Sequence, residues 1–384
     1  MEVHFRKVEA CVLNTYTRYQ LITRDIEQSL DRVEKQPVVQ RDTEYYLANI
    51  GKVTSAEEFV NDYRLFNYAM KAHGLGDMAY AKAFMLKALN EGVDDPSSFA
   101  NKMIDKRYAE FVRSFNFAKH GENATVYALA KQPVVELYLG MHTTPGSPPS
   151  EFHLEQSANY AKNIGNVKSI DQFLHKDNER LLQFALQAFG LEEAIDDKSF
   201  LRKILEGGAE DENSFANKQE DEAWGKFAQT FDFARLGELA TSFNLAQQPS
   251  VDKYLRQTLE QDAGQQSEGV RLALYFERKA GEITNAYQIL GDRALAAVVR
   301  TVLGLPESVA QMDIDQQAKL LEARIDFEDF QDPAKLEKFL TRYTAMYDAQ
   351  NPTVTPQSML VSLFQPVEFG ISQDTLMAIA AMKR

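Results

Sequence analysis

The amino-acid sequence predicts an all-α protein made of tandem helical units, with two clear copies and a degenerate third. Two observations carry this prediction. The chain contains a long internal repeat without a gap, and helix start and stop signals recur at equivalent places in each copy. No segment combines the alternating apolar pattern with the turn residues of a β-hairpin. Each copy is therefore expected to fold from helices alone.

The internal repeat relates Gly74 to Gly190 at an offset of 116 positions, which then stays constant. The segment Ser-Phe-Ala-Asn-Lys at 98–102 returns unchanged at 214–218. The aromatic residues that recur are Phe111 with Phe227, Phe115 with Phe231, and Phe117 with Phe233. These matches predict two copies of one structure.

A third copy follows in degenerate form. Gly281 stands where Gly51 stands, and Gly304-Leu305 takes the place of Gly74-Leu75. Solenoid repeats span roughly 20–50 residues, because each is one supersecondary element. A unit of about 100 residues can hold a core of its own, so the sequence does not predict a short-period solenoid.

Helix boundaries are marked in the same way in all three copies. A Ser or Asn is followed three positions later by Glu or Gln, the pattern of a capping box, and an amphipathic stripe then runs to a glycine suited to the left-handed C′ position. The caps are Ser55, Ser169 and Asn285, and the stops are Gly74, Gly190 and Gly304. One helix is predicted between each cap and its stop.

Another helix is predicted to begin at Asp95-Pro96, where aspartate suits the N-cap and proline the first helical position. Asp211 and Asp332-Pro333 occupy the equivalent places. The helix is expected to continue through the aromatic stripe that contains Tyr108 and Phe111.

Proline, glycine and polar stretches divide the chain into parts. The predicted parts are an N-terminal helical segment at 1–43, helical unit 1 at 44–141, a linker at 142–157, helical unit 2 at 158–260, a linker at 261–268, the degenerate helical unit 3 at 269–350 and a C-terminal tail at 351–384.

Composition narrows the functional classes. The net charge is -14 and the pI about 5.0, so binding to nucleic acid or to an anionic membrane surface is disfavoured. One cysteine, Cys11, excludes an intramolecular disulfide. No apolar run is long enough to span a membrane, and the N-terminus lacks the features of a cleaved signal peptide. The protein is expected in the cytoplasm, or to leave it without a cleaved signal.

Histidines do not form a recognisable site. None of the six pairs with another at the three- or four-residue helical spacing of zinc ligands. They are His4, His73, His120, His142, His153 and His175. Packing or solvent exposure is favoured over metal binding or catalysis, and His73 aligns with Phe189, which favours a place in a core. His142 and His153 flank the linker at 142–157 and are the pair that could come together.

Carboxylates and loops give no stronger signal. Asp94-Asp95 and the acidic run 210–212 could attract a cation, but capping explains their recurrence better. The segment 313–315 begins like a calcium loop but lacks the glycine at the sixth position. Gly74-Leu75-Gly76 is not a phosphate loop, because no strand precedes it and no Gly-Lys-Ser/Thr follows. No catalytic, cofactor or metal residues are therefore predicted.

Aromatic residues could be interpreted as a ligand cage or a base-stacking platform. The series is Phe99, Tyr108, Phe111, Phe115 and Phe117. Its helical spacing and its ring-for-ring recurrence in the second copy favour a hydrophobic core.

Several segments resemble the bacterial domain of unknown function 1217 over nearly the whole chain, from Thr15 onward. They are residues 19–25, 45–51, 66–72, 95–101, 345–350 and 370–372. The resemblance implies an alphaproteobacterial origin and genes in flagellar clusters. It implies no enzyme activity and no functional residues.

We therefore hypothesise a non-enzymatic interaction or structural protein linked to the bacterial flagellum, as a scaffold, adaptor or exported component. It would have protein partners and no cofactor, in the cytoplasm or at the flagellum. One alternative is a cytoplasmic chaperone for flagellar subunits. Another is an enzyme or small-molecule binder with an unrecognised site between the units, where His142, His153 or junction carboxylates would gather.

Overall fold

The computed structural model describes residues 14–144 and 147–352. Cys11 and His4 lie outside the described residues, as does the predicted tail from position 353 onward. Within the described residues the only extended pairing is a single bridge between Thr144 and Ser147. The prediction of an all-α fold is confirmed.

The α-helices are α1 (Thr15–Thr23), α2 (Ile26–Glu34), α3 (Pro37–Ile50), α4 (Ala56–Asn61), α5 (Tyr63–Ala72), α6 (Lys82–Glu91), α7 (Phe99–Lys102), α8 (Arg107–Ser114), α9 (Phe117–His120), α10 (Gln132–Met141), α11 (Glu151–Asn163), α12 (Ile170–Leu174), α13 (Glu179–Phe189), α14 (Lys198–Gly207), α15 (Ala223–Thr230), α16 (Phe233–Leu236), α17 (Gln248–Gln266), α18 (Glu268–Ala280), α19 (Ala286–Leu290), α20 (Arg293–Leu303), α21 (Ile314–Glu322) and α22 (Pro333–Gln350). Short 3₁₀ turns lie at Gly76–Met78, Gly121–Asn123, Ile164–Asn166, Lys176–Asn178, Glu192–Ala194, Gly237–Leu239, Glu307–Gln311 and Phe327–Phe330.

The chain forms two compact units. One comprises residues 27–259 and contains both clear copies of the repeat. The other comprises the described residues of 1–26 and of 260–384, with the degenerate third copy. The predicted N-terminal segment 1–43 is therefore divided, because α1 belongs to the second unit and α3 to the first.

The two clear copies have the same core. Phe59 and Phe115 stack with ring centroids 4.6 Å apart and planes at 30°. The equivalent Phe173 and Phe231 lie 4.8 Å apart at 33°. All four rings are fully buried. The repeat in the sequence is thus a repeat in three dimensions, and the prediction of tandem helical units is confirmed.

The copies exchange their closing helices. α10 ends the first copy but packs against α11 and α13 of the second. The Tyr160 hydroxyl of α11 donates to the Ala130 carbonyl oxygen, just before α10, at 2.7 Å. Reciprocally, the Tyr46 hydroxyl of α3 donates to the Ala246 carbonyl oxygen, just before α17, at 2.6 Å. Each copy is completed by a helix that belongs to the other in sequence.

The unit with the third copy is built on α18, α20 and α22, which pack against one another. Its core includes the buried side chains of Phe276, Val298 and Tyr343. α1 packs on α18 and α22, and the Thr15 amide donates to Asp348 Oδ2 at 3.0 Å. The third copy is closed by α22, a helix from its own part of the sequence, and not by a helix from another copy.

The sequence predicts one helix between each cap and its glycine stop. This prediction is wrong, because two helices lie there in each copy. α4 ends at Asn61, and the Asp62 carboxylate then caps α5 by accepting from the amides of Arg64 and Leu65, both at 3.0 Å. The cap residues and the glycine stops are where the sequence placed them. Gly190 and Gly304 both adopt the left-handed conformation.

The helix predicted at Asp95-Pro96 is also corrected. Asp95 closes a turn by accepting from the Ser97 amide at 2.7 Å, and α7 begins only at Phe99. The aromatic stripe lies on a separate helix, α8. A short Asp side chain bonds a nearby amide as readily in a turn as in a helix cap, so the sequence signal is the same for both.

Helix occupies part of the first predicted linker and nearly all of the second. α11 begins at Glu151, with Ser150 accepting from the His153 amide as its N-cap, so helix replaces the later part of 142–157. At 261–268, α17 continues to Gln266 and Ser267 caps α18. Polar residues such as Gln are good helix formers, so polarity alone did not mark a loop.

Candidate functional site

An open pocket lies where α3 and α5 of the first copy meet α17, the closing helix contributed by the second. Its volume is about 210 Å³. It is lined by four tyrosines, two cations, one carboxylate and one amide. The lining residues are Asp42, Tyr45, Tyr63, Arg64, Asn67, Tyr68, Lys71 and Tyr254. We name it the tyrosine pocket.

The start of α5 fixes one side of the tyrosine pocket. Asp62, the N-cap of α5, also accepts from the Tyr45 hydroxyl at 3.0 Å. This carboxylate therefore ties α3 to the first turn of α5. The bond to Asp62 is the largest cause that raises the pKa of the Tyr45 phenol, so Tyr45 acts as a neutral donor.

Arg64 lies over the Tyr45 ring, with its guanidinium carbon 3.7 Å from the ring centroid. Its Nη2 is 3.4 Å from Asp42 Oδ1. The ring contact is a cation–π interaction. It orients the guanidinium, whose one hydrogen bond among the described residues is the one to Asp42.

Stacked tyrosines form the inner wall of the pocket. Tyr68 lies between Tyr46, at 4.3 Å, and Tyr254, at 3.8 Å between ring centroids. Burial raises the pKa of both Tyr46 and Tyr68, so these phenols stay protonated at neutral pH. The Lys71 ammonium is 4.7 Å from the Tyr254 ring centroid. The wall is thus aromatic, neutral and topped by a cation.

The second copy keeps the aromatic stack. Phe184 lies between Tyr160, at 4.4 Å, and Tyr138, at 4.0 Å. Three other lining positions differ between the copies. By the repeat alignment, Tyr45 corresponds to Asn159, Tyr63 to Glu179 and Lys71 to Gln187, whereas Arg64 corresponds to Arg180. The fold and this arginine are shared, and Tyr45, Tyr63 and Lys71 belong to the first copy alone.

His142 and His153 are brought together. Their rings stack at 3.9 Å with planes at 15°, and His142 also contacts Tyr138 at 4.6 Å. The Ser150 hydroxyl is 3.1 Å from His153 Nδ1. Since imidazole lone pairs lie in the ring planes, two stacked rings do not direct both lone pairs at one ion. The pair extends the aromatic stack of the second copy.

The other described histidines have packing or local bonding roles. His73 is buried edge-to-face against Phe111 at 5.4 Å. His120 stacks on Tyr127 at 3.7 Å, and its burial lowers the pKa of the imidazole. His175 Nδ1 accepts from the Asp177 amide at 3.3 Å.

The carboxylates singled out in the sequence are engaged in turns, caps and ion pairs. Hydrogen bonds from the Ser97 amide and hydroxyl lower the pKa of the Asp95 carboxyl. Asp211 accepts from the Asn213 amide at 2.8 Å, and Asp332 caps α22. The remaining contacts are Asp94 with Lys119 at 3.3 Å, Glu210 with Arg235 at 3.0 Å, and Asp313 with the Asp315 amide at 3.0 Å.

The aromatic series of the first copy forms a core. Phe111 and Phe115 are fully buried, and Tyr108 and Phe117 nearly so. Phe99 packs edge-to-face on Phe84 at 4.8 Å. These rings do not line the tyrosine pocket.

Across residues 14–144 and 147–352, no group of three or more His, Cys, Asp or Glu is arranged to hold a metal ion. In the same part of the chain, no helix combines the length and the apolar character needed to cross a bilayer.

Sequence reasoning missed the tyrosine pocket. Its residues come from helices far apart in sequence, and Tyr254 reaches it only because the closing helices are exchanged. The sequence contained one indication of the pocket. In the alignment of the two copies, Lys71 corresponds to Gln187 and Tyr45 corresponds to Asn159. Positions that differ between copies with the same core are candidates for function.

Two of three comparisons with known proteins find a match. A family model described as a protein of unknown function, DUF1217, matches residues 72–184 and 188–336. An X-ray structure of a protein from Agrobacterium tumefaciens is similar with a TM-score of 0.54 and 35% sequence identity, over 88% of this chain and 94% of that one. A search of curated proteins finds no match.

Proposed function

The chain belongs to the DUF1217 family of proteins of unknown function, and from this premise we propose that it is a non-enzymatic interaction or structural protein linked to the bacterial flagellum. The flagellar part of the proposal rests on the resemblance found in the sequence, which implies genes in flagellar clusters. The role would be that of a scaffold, an adaptor or an exported component.

The observation that carries the proposal is the exchange of α10 and α17 between the copies. An exchanged helix makes the core of each copy depend on the other, so that residues 27–259 form one body rather than two hinged ones. Catalytic sites commonly lie between domains that can close on a substrate, whereas a scaffold needs a fixed shape.

The engagement of reactive side chains supports the non-enzymatic part. Asp95, Asp211 and Asp332 satisfy backbone amides, and His73 packs in a core. A general acid or base must instead reach the reacting atoms of a bound substrate.

Fractionation of motile cells tests the proposal. The full-length chain, carrying an epitope tag at its chromosomal locus, should co-purify with flagellar structures, and deletion of its gene should reduce swimming. A protein absent from flagellar fractions, together with normal motility of the deletion strain, would refute the proposal. A soluble complex with an export substrate, and no protein in the assembled flagellum, would identify a chaperone instead.

A small-molecule binder is the second candidate, and the tyrosine pocket is the observation that favours it. The pocket lies where the two copies meet, the place at which an unrecognised site was expected. Its described lining lacks a paired acid and base, because Asp42 is the one carboxylate among the lining residues and none of the five described histidines lies there. Binding therefore fits the pocket better than catalysis.

A further inference from the structure

We propose that the tyrosine pocket binds a carboxylate that lies next to an aromatic side chain in a partner polypeptide, as in a Phe-Glu pair. The inference rests on the proposed function, because it assigns the partner's recognition chemistry to a defined place on the protein.

Two cations line the pocket of a protein whose net charge is -14. Arg64 and Lys71 stand beside one lining carboxylate, Asp42. The Asp62 carboxylate is bonded to the Tyr45 hydroxyl, and the charge of Asp252 also acts on the Tyr68 phenol. The two cations offer an anionic group ion-pair partners at a defined place, which contributes orientation and specificity.

Two side chains that line the pocket, Arg64 and Asn67, have hydrogen-bond donors that no described residue accepts. Among the described residues, the Arg64 guanidinium makes one hydrogen bond, to Asp42 Oδ1 at 3.4 Å. The Asn67 side chain, on the next turn of α5, makes none with the described part of the chain. A guanidinium with free donors in its planar fork matches a carboxylate in a two-point interaction. Its ring contact with Tyr45 holds that fork in place.

Aromatic surface accounts for the second half of the ligand. Tyr254 and Tyr68 line the pocket as a stacked pair and are only 5% and 4% exposed. Tyr63 is 67% exposed and offers the larger aromatic surface to a ligand. An aromatic side chain gains from offset or edge contacts with such rings. The volume of about 210 Å³ is below the roughly 300–1,000 Å³ of sites for drug-sized ligands, so the pocket suits one or two side chains.

Two of the residues that line the pocket are not required by the fold. The second copy reproduces the ring stack within a few tenths of an ångström, but it has Asn159 and Gln187 where the first has Tyr45 and Lys71. Since the same backbone is built without these residues, packing does not require them. Arg180, which aligns with Arg64, provides a matched control.

Calorimetric titration of the full-length protein at low ionic strength tests the inference. The probes are the blocked tetrapeptide acetyl-Ala-Phe-Glu-Ala-amide and its Phe-Gln counterpart, with phenylacetate and phenylacetamide as the free small-molecule pair. The Phe-Glu peptide should bind at least tenfold more tightly than the Phe-Gln peptide. Arg64→Gln should weaken Phe-Glu binding at least tenfold, and Lys71→Gln, the residue of the second copy, should weaken it less. Arg180→Gln should leave it unchanged.

Three results would overturn the inference. They are equal binding of the two peptides, an equal effect of Arg180→Gln and Arg64→Gln, and no binding of the Phe-Glu peptide by protein whose circular dichroism is native. Binding of phenylacetate without the peptide would overturn the assignment to a polypeptide. Each result is independent of the flagellar fractionation, so the pocket and the proposed function can fail separately.

Discussion

At the scale of single residues, the three copies differ in the side chain that lies three positions after the N-cap. It is a glutamate in the first copy and a glutamine in the other two. Glu58 Oε2 accepts from the Thr54 amide at 2.9 Å. Gln172 and Gln288 accept from the equivalent amides of Lys168 and Thr284, both at 2.7 Å. Only the first copy has an ionisable group there. Its hydrogen bonds, first that from the Thr54 amide, lower the pKa of the Glu58 carboxyl.

This difference predicts a pH dependence for Glu58→Gln. A carboxyl whose pKa is lowered in the folded state stabilises the fold above its unfolded-state pKa, and the contribution is lost as the pH falls through the folded-state pKa. Glu58→Gln should therefore reduce the free energy of unfolding slightly at neutral pH, and the gap to the wild type should close on acidification.

Urea unfolding over a series of pH values measures that gap. The converse variant, Gln172→Glu, should gain stability at neutral pH and lose the gain in acid. A gap between Glu58→Gln and the wild type that does not change with pH would contradict the assignment.

The buried ion pair between Glu260 and Arg278 is expected to contribute more to the free energy of unfolding than Glu58 does. Glu260 is 1% exposed, and Arg278 donates to its two carboxylate oxygens at 2.7 and 2.9 Å. Arg278→Met should lower the free energy of unfolding by about 3–5 kcal/mol, because it leaves a buried charge without this partner. The double variant with Glu260→Met should recover most of the loss in chemical denaturation. A single variant as stable as the double would show that Glu260 does not depend on Arg278.

At the scale of helices, two equivalent hydrogen bonds stabilise the exchanged positions of α17 and α10. Their donors are the hydroxyls of Tyr46 and Tyr160. Tyr46→Phe and Tyr160→Phe each leave a carbonyl oxygen without its donor in a buried position. Each should cost about 1–3 kcal/mol of unfolding free energy, and similar amounts are expected because the two contacts are equivalent. Denaturant unfolding measures both.

Tyr343→Phe is the matched control. The Tyr343 hydroxyl is buried, with no hydrogen-bond partner among the described residues, so its removal should be neutral or stabilising. If Tyr46→Phe and Tyr160→Phe are as harmless as Tyr343→Phe, the tyrosine bonds do not stabilise the exchanged helices.

At the scale of the molecule, the exchange predicts that the two clear copies unfold together. The one tryptophan, Trp224, lies in the second copy, 6.1 Å from Phe227 between ring centroids. Phe111→Ala in the first copy should cost about 3–5 kcal/mol. It should lower the midpoint of the Trp224 fluorescence transition, because α10 and α17 couple the cores.

Phe227→Ala, in the second copy itself, sets the size of shift expected for a direct effect. A Trp224 transition that responds to Phe227→Ala and ignores Phe111→Ala would mean independent copies. The coupling inferred for residues 27–259 would then be wrong.

The sequence by itself determined the helical class, the duplication, and the cap and stop of each copy. These features are local, since caps and glycine stops act within one or two turns, and the recurrence of Phe111 as Phe227 can be read by alignment. The sequence also predicted the place of single rings in the core. His73 aligns with Phe189, and its ring is buried as expected.

Only the tertiary structure decided which helix completes which core. α10 and α17 have nearly the same start, Gln-Pro, and either could close either copy as far as the sequence shows. Burial and hydrogen bonding over long separations, such as Tyr46 with Ala246, select the exchanged arrangement. The tyrosine pocket is a consequence of that choice, because Tyr254 joins Arg64 only when the second copy closes the first. Local patterns carry no record of such pairings, and for that reason the fold could be read from the sequence and the site could not.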